Sequence, residues 1–489
     1  MKRLVCLGLI AGQVLAGATA AADLPDFGSP ADAVMNKTRE GQLGRTVMMQ
    51  LRNAGAVIDD PLVNEYINSL GSQLASRASN GDQPFHFFVV HDKEINAFAL
   101  PGGYVGVNSG LLLATDNENE LAAVLAHEVS HVTQRHVARS MYDSQRMSIV
   151  SMATMLAALL LGAASDAGGN AMAGILTASQ AAALQRQINF TRANEQEADR
   201  IGMEVLSQTG FDPNAMADFF ETLESRYGAA EQGIPEMLQT HPVTTSRIAE
   251  ARARARQLPK AHAPDSTSYI LAKARVEVLE APTPEAALAA FQNKPDPDSP
   301  ATRYGRALAL TGMSRSDQAE REFRDLVRQS PDVIAYRIGE AEALAASGLY
   351  DQAIKVYEDA IRLFPRNVPL TVSYASVLIN AGQAEHAHRL LLDLLNNVPP
   401  TPEQIRLIAR AANAQGDTLN AYYYMGEYYV STGNLPLAIR QLRMALEVPG
   451  AGPVERAKLN ARLAELMDYL PKEQRAEVAD ATSRGPPQQ

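Results

Sequence analysis

Residues 124–132 read Val-Leu-Ala-His-Glu-Val-Ser-His-Val, and their reading decides the fold of the N-terminal half. Just upstream, Thr115-Asp-Asn-Glu118 has the spacing of a capping box, so a helix is expected to start there and run past His131. On that helix His127 and His131 are four apart and project from one face, able to share a metal ion. Glu128 stands about 100° round, beside the ion rather than on it. Zinc held by two imidazoles and a carboxylate keeps a fourth position for water. The metal lowers that water's pKa, and Glu128 can take its proton and pass it to a leaving amine. With nine His in 489 residues, a chance His-Glu-x-x-His is expected roughly once in a hundred such chains. The bland alternative, two surface His on an ordinary helix, is weakened by the apolar flank.

A third ligand is required. The longer signature with a third His fails, because Gln134 and Val137 stand where Gly and His would be needed. His136 is five residues from His131, about 140° away on a continuing helix, and reads as solvated. Glu195 in Asn194-Glu-Gln-Glu-Ala-Asp199 is the better candidate. Asp199 lies four residues on along the same face, placed to orient a metal-bound His, while Glu197 points elsewhere. An acidic helix start is by itself usually a solvated face; beside a metal-binding helix it reads as a ligand.

Composition narrows the rest. Lys+Arg number 44 against Asp+Glu 55, a formal charge of −11, which argues against nucleic acid, since phosphate binding needs a basic face. One Cys excludes a disulfide framework, a Cys-based zinc finger and an iron–sulfur cluster. Met1-Lys2-Arg3, the apolar run Leu4–Gly17 and Ala18-Thr19-Ala20 read as a secretory signal peptide over 1–22. The expected compartment is the periplasm of a Gram-negative bacterium. Met147–Ser165 is nineteen residues without a charge. It is rich in Ala and Ser, so a partly buried or amphipathic hairpin is preferred to a membrane span, with peripheral membrane association left open.

Pro-rich stretches near 259–264 and 293–300 divide the chain. Residues 23–260 read as the metal-binding domain, with strand-like Phe85–Val90 and Gly-punctuated Asn96–Leu112. A linker and degenerate first hairpin occupy 261–300, and a disordered tail is expected over 471–489. Between 301 and 470, Ala319, Ala353, Ala387 and Ala421 recur every 34 residues, as do Gly348, Gly382 and Gly416, and Pro331, Pro365 and Pro399. That is the tetratricopeptide pattern of helical hairpins stacked into a protein-binding solenoid. After Gly416 the signal recurs at half a repeat, with Gly433 and Ala438. Tyr422, Tyr423, Tyr424, Tyr428 and Tyr429 either line a groove or pack between helices. The expected fold is mainly α: a zincin-type α+β metallopeptidase domain followed by an α-solenoid of tetratricopeptide hairpins. A cut within 259–265 is expected to break no hydrogen-bonded element, leaving 23–260 active and 267–470 to recruit.

His-Glu-x-x-His followed by Glu-x-x-x-Asp resembles the signature of the M48 zinc metallopeptidases. Ile95–Gly103 resembles that family's segment before the catalytic helix, and Thr240-His241-Pro242 with Arg247 its closing motif. The resemblance covers about 45–255. It implies one Zn2+ on His127, His131 and Glu195, with Glu128 and Asp199 as catalytic residues. Signal peptide, M48 domain and tetratricopeptide array together resemble a bacterial group of periplasmic endopeptidases and chaperones. These handle unfolded or misassembled outer-membrane β-barrel proteins and associate with the barrel-assembly machinery. The alternative is a tetratricopeptide scaffold or chaperone with a latent or vestigial metal site. His241, expected on a mobile loop beyond Gly228–Pro235, has three roles open: a gate on the fourth zinc position, a donor to the oxyanion, or a cap for the helix carrying Arg247.

Overall fold

The computed structural model describes residues 35–78, 83–141, 192–227, 235–261 and 263–469, together with 152–154, 156–158 and 160. The residues read as a signal peptide (1–22) and as a C-terminal tail (471–489) lie outside the described residues, as do 228–234 of the stretch Gly228–Pro235 and most of Met147–Ser165. Among the described residues no helix is long and apolar enough to cross a membrane. Ala153, Leu156 and Ala157 are buried instead against Val47, Met48 and Leu51.

The N-terminal part is built round one helix. α1 (Lys37–Asn53) and α2 (Pro61–Ala78) precede β1 (His86–Val90), β2 (Ala97–Leu100) and β3 (Tyr104–Asn108). The sheet order is β1-β3-β2: β1 pairs parallel with β3, Phe88 opposite Gly106, and β2 pairs antiparallel with β3, Phe98 opposite Gly106. Strand β2 is an edge, since no described strand pairs with its outer side. Then come α3 (Ser109–Ala114), α4 (Glu118–Thr133), α5 (His136–Met141), α6 (Arg192–Thr209), α7 (Asn214–Tyr227), α8 (Glu236–Thr240) and α9 (Thr245–Ala255). Every residue of α4 from Glu118 to Val132 is buried, enclosed by α2, α6, α7 and the sheet. A helix apolar all round can only lie in a core, and the residues before His127 are of that kind. Gly202 on α6 makes the close approach possible: a Cβ there would stand 3.2 Å from the His127 backbone nitrogen.

The expected capping box is displaced by two residues. Asn117 caps α4 by accepting from the Glu120 N–H, and the Glu120 carboxylate accepts from the Asp116 N–H. Thr115 instead bonds Tyr269 and the Leu112 carbonyl. Glu118 is thereby released to the joint with the second half. Its carboxylate accepts from the Ser266 N–H and hydroxyl at 2.7 and 2.8 Å, and its own N–H donates to Asp265 at 2.7 Å.

Helical hairpins fill the rest, from α10 (Thr267–Leu279) and α11 (Pro284–Gln292) to α12 (Pro300–Gly312), α13 (Ser316–Gln329), α14 (Ile334–Ala346), α15 (Tyr350–Leu363), α16 (Val368–Asn380), α17 (Ala384–Asn397), α18 (Pro402–Ala414), α19 (Thr418–Ser431), α20 (Leu435–Glu447) and α21 (Pro453–Tyr469). Gly348, Gly382 and Gly416 hold φ of +75° to +84° in the turns inside successive hairpins, a conformation that favours Gly. Ser314, one period earlier, takes φ +58°, so the register begins a repeat before glycine shows it. Gly433, φ +84°, makes the tight turn between α19 and α20; the half-repeat signal marks a turn between hairpins. The tyrosines of α19 are half-buried, with Tyr422, Tyr423 and Tyr429 packing toward α20 and α21 and Tyr424 toward the preceding repeats.

The segment expected to be a free linker is tied down. Ala263 accepts from Asn119 at 2.9 Å, and Tyr269, Ala272 and Val276 of α10 belong to the same core as α4. The solenoid also grips α2. Arg275 pairs with Asp60 at 2.6 Å and with Glu342 at 3.4 Å, Arg406 reaches Asp59 at 3.1 Å, and Leu62 packs against two of the solenoid's apolar clusters.

Candidate metal centre and active site

Three elements bring the polar groups together. Helix α4 carries His127, Glu128 and His131, α6 carries Glu195 and Asp199, and the end of α8 carries His241. One ligating atom from each of His127, His131, Glu195 and His241 lies within 4.8 Å of all the others, and all four residues are buried. His127 Nε2 is 2.9 Å from His131 Nε2, 3.3 Å from His241 Nδ1 and 3.5 Å from Glu195 Oε2. Glu195 Oε1 is 3.4 Å from His131 Nε2 and 3.0 Å from His241 Nδ1. A tetrahedral divalent ion with bonds of about 2.0–2.1 Å spaces its ligand atoms about 3.3–3.4 Å apart. The donor set and its spacing fit a metal ion.

Charge leads to the same conclusion. Glu128, Glu195 and Asp199 are three carboxylates at most 8% exposed, with one buried guanidinium, Arg247, among them. Arg247 Nε and Nη2 each meet an Asp199 oxygen at 2.8 Å, Nη1 lies 2.9 Å from Glu195, and the guanidinium sits 4.7 Å over the Phe220 ring. A divalent cation would bring this set to neutrality. Without one, an imidazole takes the charge: burial alone would lower His127, but Asp199 and Glu195 overcome it and lift its pKa to about 10. Burial drives His131 well below its ordinary value. Glu195 is held far below the carboxylate range despite burial, by His241, His127 and His131. Asp199 is lowered against burial by its bonds to His127 and Arg247.

Glu128 differs from the other two. It is fully buried, neither of its oxygens has a hydrogen-bond partner among the described residues, and burial raises its pKa. His241 Nε2 stands 3.7 Å from Oε1. An unbonded buried carboxylate is costly, and here it adjoins the metal-ligand cluster with a proton acceptor to offer.

Asp199 Oδ1 lies 2.9 Å from His127 Nδ1, on the far side of the ring from the cluster. His241 is not on a loose loop: it ends α8, is 4% exposed, and its N–H donates to Met237 at 2.8 Å. It does not cap the helix carrying Arg247 either, because Thr244 does that. His136, read as solvated, has no exposed surface and its Nδ1 is 2.9 Å from His131 Nδ1. The helical-wheel angle fails because α4 stops at Thr133 and Arg135 turns the chain at φ +54°. No Gly or Pro announces that stop. Arg247 is legible only as part of a motif; as one of three arginines between Thr244 and Ala255, with Arg252 and Arg254, it carries no sign that it will reach two carboxylates on α6.

The Peptidase family M48 model matches residues 61–255, and two tetratricopeptide repeat models match 304–368 and 344–411. The chain is 46% identical over 267 residues to the beta-barrel assembly-enhancing protease of Escherichia coli (strain K12), covering 54% of each. It is 41% identical over 334 residues to that of Yersinia pestis, covering 66% of this chain and 67% of the other. It is 33% identical over 191 residues to the metalloprotease LoiP of Escherichia coli (strain K12), covering 38% and 67% respectively. The chain spans about half to two thirds of the length of these curated relatives.

Proposed function

From the premise that this chain belongs to peptidase family M48, we propose that it is a zinc-dependent endopeptidase and chaperone of the periplasm. It would handle outer-membrane β-barrel proteins, degrading misassembled ones and aiding assembly. The observation that carries the peptidase reading is the convergence of His127, His131 and Glu195 beside the unbonded carboxylate of Glu128. Zinc bound there would supply the acidity of a water and polarise the scissile carbonyl. Glu128, with both oxygens unbonded among the described residues, would accept the proton of the attacking water and deliver it to the leaving amine. Asp199, 2.9 Å from His127 Nδ1, would orient that ring, and Arg247 fixes Asp199 and Glu195 together. Strand β2, whose outer side pairs with no described strand and which contacts α4, can align an extended peptide by main-chain hydrogen bonds.

His241 gives the peptidase an off state in this reading. His241 Nδ1 lies among the other candidate ligand atoms, so His127, His131, Glu195 and His241 together could hold an ion with four protein ligands, the closed set of structural zinc sites, which would leave water no place. A client would have to withdraw His241 before cleavage. This also retains the scaffold alternative in a restricted form, as the state of the same protein before a client arrives. The tetratricopeptide hairpins, an architecture that binds proteins, support recruitment of barrel proteins or of the machinery that assembles them, as the names of the E. coli and Y. pestis relatives suggest. Zinc analysis of the purified protein and cleavage of unfolded casein, with removal of the ion by chelator and its return, tests the proposal. One zinc per chain and chelator-reversible cleavage are expected. Absence of zinc, or cleavage indifferent to the chelator, would overturn it.

A further inference from the structure

His127 and His131 are the two imidazoles of one motif, yet their Nδ1 atoms meet different groups, a carboxylate for His127 and an imidazole for His131. Asp199 takes the Nδ1 side of His127. The Nδ1 of His131 faces His136 Nδ1 at 2.9 Å, the two rings 4.8 Å apart and nearly perpendicular. His136 Nε2 in turn meets Glu197 Oε2 at 3.1 Å, and Arg139 Nη1 meets the same oxygen at 3.2 Å. His136 has no exposed surface, while Glu197 is one-third exposed at its side chain. The chain therefore runs from a buried ligand to the protein surface.

We propose that His136 and Glu197 are positioning residues that fix the tautomer and orientation of His131, an inference that rests on the metal-centre reading above. His131 presents Nε2 to the ligand cluster, so that nitrogen must keep its lone pair and Nδ1 must carry the proton. Nδ1–H then donates to His136 Nδ1, which leaves the proton of His136 on Nε2, where it donates to Glu197. Each of these contacts is satisfied by this one assignment of tautomers.

The backbone is arranged to make the contact. If α4 had continued, His136 would stand about 140° from His131 and could not touch its ring. The left-handed turn at Arg135, φ +54°, breaks the helix and starts α5 at His136. That conformation is unfavourable for a non-glycine residue, and long-range bonds hold it. Arg135 Nε donates to Glu40 Oε1 at 3.0 Å and Nη2 to the Met35 carbonyl at 2.6 Å. Glu40 is 4% exposed in the first turn of α1. Helix α1 thus locks the turn that brings His136 behind the metal ligand.

The test measures zinc affinity of the full-length protein by competition with a chromophoric chelator, and the melting of the metal-free forms. His136→Ala is expected to weaken zinc about 10–100-fold. His136→Asn keeps an acceptor for the His131 Nδ1–H, so it should recover most of that loss. In metal-free protein the Ala and Asn variants should melt together, because the acceptor matters only when His131 must hold an ion. Parental affinity in His136→Ala, or an Asn variant as weak as Ala, would overturn the proposal. If His136→Ala does not fold, Glu197→Ala reads the same chain from its part-exposed end. There about a three- to tenfold loss is expected, and unchanged affinity overturns it. A parent protein that binds no zinc at all would instead refute the metal-centre reading.

Discussion

Removing the guanidinium of Arg247 should be among the most damaging single changes in the N-terminal half. The side chain is 5% exposed and makes three contacts of 2.8–2.9 Å with two buried carboxylates, as well as a 3.0 Å bond to the Pro242 carbonyl. Arg247→Met keeps the length and the contact with Phe220 but leaves Asp199 and Glu195 without their shared cation. Breaking a buried pair from one side costs about 3–5 kcal/mol, because the remaining charge is uncompensated. At about 2–4 °C per kcal/mol for a domain of this size, the zinc-loaded protein should melt about 6–20 °C lower. Arg247→Lys separates charge from geometry: an ammonium preserves the sign but cannot meet Asp199 with two parallel bonds while reaching Glu195. It should fall between parent and Met. The assay is calorimetric or circular-dichroism melting with zinc in excess. A Met variant within 2 °C of the parent, or a Lys variant equal to it, would refute this reasoning.

His241→Ala should raise basal cleavage of casein several-fold if the imidazole holds the fourth position; a strong fall would assign it to the oxyanion instead, and turnover assays distinguish the two. The metal-free protein should be most stable near pH 6.5. His127, raised to about 10, contributes stability that is complete below about 6.5 and lost as pH rises through 10. His131, lowered, contributes stability that is lost as pH falls below about 6.5; denaturant titrations across pH 5–10 would show the maximum, and a flat profile would contradict it. A protein ending at residue 260 should lose about 3–6 kcal/mol from Tyr269 and Val276 alone. Its melt should be broad and low, and a melt within a few degrees of the full-length chain would restore the independent-domain expectation.

The candidate ligands were legible because their chemistry is local. His127, Glu128 and His131 share one helical face or its neighbour, so spacing finds them; Glu195 and Asp199 share another face, and they stand out from an ordinary solvated helix start only beside that motif. The 34-residue register was legible for a related reason: Gly at a left-handed turn and Ala at a helix contact are requirements of one hairpin, repeated. What stayed hidden depends on contacts distant in sequence. Arg135 ends α4 because Glu40 and Met35 hold it, and without that the wheel angle sends His136 to solvent. The boundary near 260 looked like a linker because Pro and polar residues cluster there, yet Asp265 and Ser266 are polar in order to meet the start of α4. Glu118, taken for the far end of a capping box, is the group they meet.

The central claim is that Glu128 is the base of a zinc peptidase, and Glu128→Gln tests it most directly. The amide fills the same buried space beside His241 but cannot accept the water's proton. Metal analysis and casein cleavage should be run on one preparation of parent and variant. The expected result is full zinc occupancy and an unchanged melt with cleavage reduced by at least about 10²-fold; zinc-loaded variant that turns over at the parental rate would contradict it.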